Sequence, residues 1–152
     1  MTNSEIKLVS QFAEGFPLLT YFRPHEFLFR GGSNAKGSCK NKNTLPPRSI
    51  WKNIYDVATV WDEVRHTLGQ PIKVLSVYRN EDYNSCIGGA ANSFHKKGMA
   101  CDATSSKVPA KELYAVALKL RRAGYFKGGL GLYTASNFVH LDVRGTNYSW
   151  GN

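Results

Sequence analysis

Between Pro46-Pro47 and Gly69, apolar residues recur every three or four positions: Ile50, Trp51, Ile54, Val57, Ala58, Trp61, Val64 and Leu68. That spacing gathers them on one stripe of a helix. The prolines suit a first helical turn and Gly69 supplies a stop. A helix with one long apolar stripe must bury it against another layer. The next segment can supply that layer, because Ile72 to Tyr78 alternates and is β-branched, the pattern of a strand. Trp51 and Trp61 lie on the stripe and are expected in the core, not stacked on a ligand.

The remaining elements follow the same logic. Tyr21 to Leu28 reads as an extended segment entering a short helix with Pro24 near its first turn. Gly31 to Thr44 is rich in Gly, Ser, Asn and Lys, so a mobile loop is expected there. Glu81 to Ile87 has room for one or two helical turns before Gly88-Gly89. Met99 to Thr104 reads as a short strand, and Pro109 to Tyr125 as a second helix with Leu113, Val116, Ala117 and Leu120 inward. Gly128 to Tyr133 and Asn137 to Val143 form two closing strands, a hairpin across Thr134-Ala135-Ser136. This order predicts an α+β fold: a single compact domain, residues 1–152, with helices packed on a small antiparallel sheet. Residues 1–48 are its leading segment and loop, and 49–145 its core.

The 152 residues, 42% of them hydrophobic, suffice for one buried core. No apolar run approaches the roughly 20 residues of a membrane span. Met1 to Ser10 carries Glu5 and Lys7 and does not read as a secretory signal. Twenty Lys and Arg against eleven Asp and Glu give a net charge of +9, which favours an anionic partner such as nucleic acid, an anionic membrane or a bacterial envelope. The charge is dispersed, with no arginine-rich run and no nucleic-acid motif, so no nucleic-acid partner is expected. Cys39, Cys86 and Cys101 are odd in number and lack C-x-x-C spacing. They indicate neither a disulfide framework nor a thiolate metal site, and the expectation is free thiols in a reducing cytoplasm, with Cys101 buried in its strand.

Three side chains are candidate metal ligands, although a histidine in a short apolar strand is by itself more often structural and the spacing alone is a weak signal. Catalytic zinc is usually held by three His, Asp or Glu side chains with a fourth position left for water. His95 and Asp102 would diverge on one helix, but a turn at Lys97-Gly98 lets a loop histidine and a strand carboxylate converge. His140 lies on the last predicted strand, where residues two apart share a face. His140, Asp142 and Arg144 should therefore point the same way, with a second carboxylate beside the metal.

Neighbouring residues strengthen this reading. Ser76-Val77-Tyr78-Arg79-Asn80, Asn84, Gly88-Gly89, Ser93-Phe94-His95, Asp102 and Val139-His140-Leu141-Asp142 appear in that order. Together they resemble the zinc D-Ala-D-Ala carboxypeptidases and their phage-lysin relatives, which share a fold with lysostaphin-type peptidases and hedgehog domains. The resemblance runs from about Pro71 to Gly145. It implies a Zn2+ ion held by His95, Asp102 and His140, with Arg79 facing substrate either as a carboxylate clamp or as an oxyanion donor. It also implies peptidoglycan stem peptides as substrate, cleaved by a carboxypeptidase or an endopeptidase. Ser93 and Asn84 are expected at the substrate side. A monomer made in the cytoplasm and acting on the cell wall after release is the expected setting.

One departure is visible. Many relatives carry an acidic residue three positions before the last ligand or a histidine two before it, where this chain has Asn137 and Phe138. Asp142 is the nearest substitute for a general base; its alternative is to orient His140 or to pair with Arg144. A binding module of the same fold without turnover is the rival reading.

Overall fold

The computed structural model describes all residues from Met1 to Asn152. Five strands form one sheet in the order β1-β2-β4-β3-β5. They are β1 (Lys73–Ser76), β2 (Ala100–Thr104), β3 (Gly129–Tyr133), β4 (Phe138–Asp142) and β5 (Tyr148–Gly151). The first four pair antiparallel, as the sequence predicts. β5 adds a parallel strand beside β3 that its four residues do not announce.

The long stripe forms helix α3 (Trp51–Leu68), ended by Gly69 at φ 71°. Ile54, Val57, Ala58, Trp61 and Val64 are its buried face. They meet the apolar side of α5 (Ala110–Arg122) and the side of the sheet formed by Cys101, Ala103, Leu130, Val139 and Leu141. Trp61 is fully buried, and its indole N–H donates to the carbonyl of Cys101 at 3.2 Å, directly before Asp102. The core thus braces the strand that carries a predicted ligand. No helix is long and apolar enough to cross a membrane.

Two segments depart from the sequence reading. The N-terminus forms α1 (Asn3–Gly15), started by a capping box in which Thr2 and Glu5 exchange side-chain and backbone hydrogen bonds, and it anchors Phe12 in the core. Residues 31–44, expected to be mobile, are stitched down. They include α2 (Gly32–Ala35), and the buried amide of Asn43 donates to the carbonyls of Arg30 and Tyr78 and accepts from the backbone N–H of Asn80. Cys39 forms a disulfide with Cys86 at the end of α4 (Glu81–Cys86), and only Cys101 is free. The expectation of three free thiols is therefore corrected. The odd count arises from one buried thiol beside one bridge.

Candidate active site

Side chains alternate across β2 and β4, so the residues opposite the core face build a second surface. One row crosses all five strands: Ser76 pairs with Asp102, Asp102 with His140, His140 with Gly131, and Gly131 with Trp150. Gly131 leaves the space that the Trp150 indole fills, since a Cβ there would lie 2.5 Å from Trp150 Cε2. The indole reaches across to the His140 ring at 4.9 Å between centroids.

His95 arrives from a 3-10 turn, Phe94–Lys97, that Gly98 closes at φ 68°, as the predicted turn requires. Ser93 Oγ accepts from the His95 backbone N–H, and the Arg79 N–H donates to the His95 carbonyl. The His95 ring lies 2.6 Å through Nδ1 from the carbonyl of Val77. A carbonyl can only accept, so Nδ1 carries the proton and Nε2 presents a lone pair in the neutral ring. That Nε2 is buried and has no hydrogen-bond partner, although Asp102 Oδ2 stands 3.2 Å away out of line.

His140 donates through Nδ1 to Asp102 Oδ1 at 2.9 Å and through Nε2 to Asp142 Oδ2 at 2.7 Å. Ligand atoms of His95, Asp102 and His140 all lie within 4.8 Å of one another, with exposures of only 2%, 7% and 9%. Ligands about 2.0–2.2 Å from a tetrahedral ion stand about 3.3–3.5 Å apart. The 2.9 and 3.2 Å contacts run to different oxygens of Asp102, and small shifts of the three side chains would bring one atom of each to that spacing. The orphaned Nε2 and the donor set of two imidazoles and one carboxylate fit a divalent metal ion. These side chains open on a cleft of ≈ 450 Å³ that Arg79, Ser93, Phe94, Tyr133, Phe138, Arg144 and Trp150 also line.

Charge in the site is tightly coupled. Burial alone would raise the Asp102 carboxyl, but His95 and His140 beside it outweigh burial and hold it well below the usual carboxylate range. Burial lowers His95. Burial also opposes charge on His140, yet its hydrogen bonds to Asp102 and Asp142 prevail and raise it above the ordinary histidine value of 6.5. A metal must displace the proton from His140 Nδ1. Its apparent affinity should therefore fall as pH drops through the raised His140 pKa, by about tenfold per pH unit for one competing proton. Competition with a chromophoric chelator between about pH 8 and 6 measures this, and a flat affinity would show that His140 is not a ligand.

The other expected residues separate into two groups. Arg79 is in place: its Nε donates to Ser76 Oγ at 3.1 Å and its Nη2 to Asp102 Oδ2 at 3.2 Å. Ser93 lines the cleft beside it. Asn84, expected at the substrate side, is 1% exposed and does not line the cleft. Its amide donates to the Ala90 carbonyl and sits against Gly89, so it shapes the Gly88-Gly89-Ala90 wall from behind. Asp142 faces His140 as strand alternation predicts but is 0% exposed. Its Oδ1 accepts from Gly129 N–H, Arg144 N–H and Arg144 Nε, and its Oδ2 from His140 and Arg144 Nη2. Burial pushes its carboxyl up, but Arg144, His140 and the Gly129 N–H hold it well below the usual range. A carboxylate so saturated and withdrawn is badly placed to take a proton in the cleft. Asn137 turns away at φ 54° and accepts from Ala110 N–H at the start of α5, so it leaves the cleft without a base of its own.

Residues 20–142 match the family model described as Peptidase M15. The chain belongs to the peptidase M15 family. Among similar proteins is the peptidoglycan L,D-endopeptidase MepK of Escherichia coli K12, 35% identical over 79 residues, which are 49% of this chain and 41% of that protein. A probable peptidoglycan L,D-endopeptidase MepK of Haemophilus influenzae is 37% identical over 77 residues, 47% of this chain and 39% of that protein. The chain thus matches about two fifths of the length of these curated relatives. Within this M15 site, the aromatic wall was not foreseen. Phe94 adjoins a predicted ligand and could have been noted, but Trp150 reaches the cleft only through the pairing of β5 with β3.

Proposed function

We propose that this M15 peptidase is a zinc-dependent endopeptidase that cuts peptides of bacterial peptidoglycan. The orphaned Nε2 of His95, buried beside Asp102 and His140 at the floor of an open cleft, carries the reading. The endopeptidase activity of the similar proteins supports the substrate and favours an internal bond over removal of a terminal residue. Zinc held there by His95, Asp102 and His140 would supply a Lewis acid for the scissile carbonyl and a water with a pKa of about 7.

The chain's own residues set the rest. His95 offers Nε2 because Val77 fixes its other nitrogen, and His140 offers Nδ1 because Asp142 holds Nε2–H. Such a carboxylate behind a ligand histidine fixes its ring and raises its basicity. Arg79, 3.2 Å from Asp102, has unspent N–H groups beside the ligand set and is placed to stabilise negative charge developing on the carbonyl oxygen. The net charge of +9 suits an anionic wall polymer. The Cys39–Cys86 bridge suits action in an oxidising compartment outside the cytoplasm.

Digestion of purified peptidoglycan by the zinc-loaded protein, followed by mass spectrometry of the fragments, tests the reading. New amine termini inside stem or cross-bridge peptides, lost on chelation, are expected. Intact wall after digestion with stoichiometric zinc would favour a binding module, which the absence of an unpaired carboxylate lining the cleft would also suit. Asp142→Asn should weaken zinc binding by roughly 10- to 100-fold, with activity recovering in excess zinc. Failure of zinc to restore kcat would return Asp142 to a direct role in proton transfer.

A further inference from the structure

We propose that Arg144 forms a subsite for a substrate carboxylate, so the preferred substrates are peptides carrying a free acid close to the bond that is cut. The inference rests on the peptidase reading above. Apart from the two histidines beside Asp102, three charged side chains line the cleft: Arg79, Asp102 and Arg144. Asp102 is committed to the two histidines and Arg79, and a bound cation would neutralise it further. What remains toward a ligand is two guanidiniums and no free anion. Nearby Lys96 is paired with Glu81.

The two guanidiniums are held differently. Arg79 leans on Asp102 and so faces charge that develops at the reacting carbonyl. Arg144 is clamped along one edge, Nε at 2.9 Å and Nη2 at 2.7 Å from Asp142. Its centre lies 4.4 Å from the ring of Phe94 and 5.4 Å from that of Trp150. Its remaining nitrogen, Nη1, makes no hydrogen bond to the protein, and the side chain keeps 20% exposure. A role confined to neutralising Asp142 uses one edge of the fork and needs no opening on the cleft. The free edge, already immobile, can receive a carboxylate with little further loss of side-chain freedom.

The test compares a synthetic stem-type peptide bearing a free carboxylate beside the scissile bond with its carboxamide twin. Binding to metal-free protein is read by calorimetry, and kcat/KM on zinc-saturated protein. Wild type should prefer the acid by about tenfold or more, the scale of a hydrogen bond between charged groups. Arg144→Gln should bring the acid-to-amide ratio to within about twofold of one, and Arg144→Lys should restore part of it. Loss of a purely structural role would weaken both peptides alike and leave the ratio intact, which would overturn the subsite. A wild-type ratio of one in both measurements would also overturn it; if both peptides are cut, the peptidase reading survives. Acid preference that depends on Arg144 without any cleavage would keep the subsite and end the peptidase reading.

Discussion

Asp102→Ala should empty the site of metal and lower activity by at least about 10³-fold, because the ion's stabilisation of the transition state is worth several kcal/mol. Asp102 is the hub of the cluster: Oδ1 accepts from His140, while Oδ2 faces His95 and accepts from Arg79. Removing it takes away the only carboxylate of the ligand set and leaves the Arg79 guanidinium unopposed beside any incoming cation. Affinity should suffer from both effects. The fold should survive, since the core face of β2 is made by Cys101 and Ala103, which the substitution does not touch. Elemental analysis after dialysis, circular dichroism and a wall-digestion assay together read the outcome. About one zinc per chain in the wild type and almost none in the variant is expected. Full zinc in folded Asp102→Ala protein would place the ion elsewhere, and the mechanistic roles of His95 and His140 would fall with it.

Much of this site was legible because it rests on local periodicity. The α3 stripe is uninterrupted, so its inward residues could be read directly, and strand alternation put His140, Asp142 and Arg144 on one side of β4. Alternation gives direction but not depth. Whether Asp142 reaches solvent depends on Gly129 N–H, which β3 brings from 13 residues away, and on Arg144 folding back over it. Sequence alone therefore leaves the base-or-orienter question open. α1 has a signature of its own: Thr2-Asn3-Ser4-Glu5 is a capping-box pattern ahead of Ile6, Leu8, Val9 and Phe12. Residues 31–44 read as a loose loop because their composition is polar. Their order comes from Asn43 bonding to carbonyls that no side-chain pattern reveals. β5 is four residues long and pairs in parallel with β3, not with β4 that precedes it in the chain, so neither length nor alternation marks Trp150 as a wall of the cleft.

Loss of the Cys39–Cys86 bridge should lower folding stability by up to about 4 kcal/mol, because it closes a loop of 47 residues whose freedom returns to the unfolded chain. The chain-entropy figure is an upper value, since an unfolded chain that stays compact gains less. In the folded protein the bridge ties residues 31–44 to the end of α4, just ahead of the Gly88-Gly89-Ala90 wall of the cleft. His95, Asp102 and His140 lie apart from it, on the 3-10 turn, β2 and β4, and are braced by Trp61 and Val77. Cys39→Ser/Cys86→Ser protein should therefore keep stoichiometric zinc and show a raised KM with a smaller change in kcat. Denaturant unfolding gives the stability, elemental analysis the metal, and peptide kinetics the split between the two constants. Thiol titration of the unfolded, unreduced wild type should find one reactive cysteine, Cys101. Three reactive thiols would mean the bridge does not form, and residues 31–44 would then be held by the Asn43 network alone. Zinc lost together with the bridge would instead show that the loop supports the ligands themselves, which the separation of the two sets of contacts argues against.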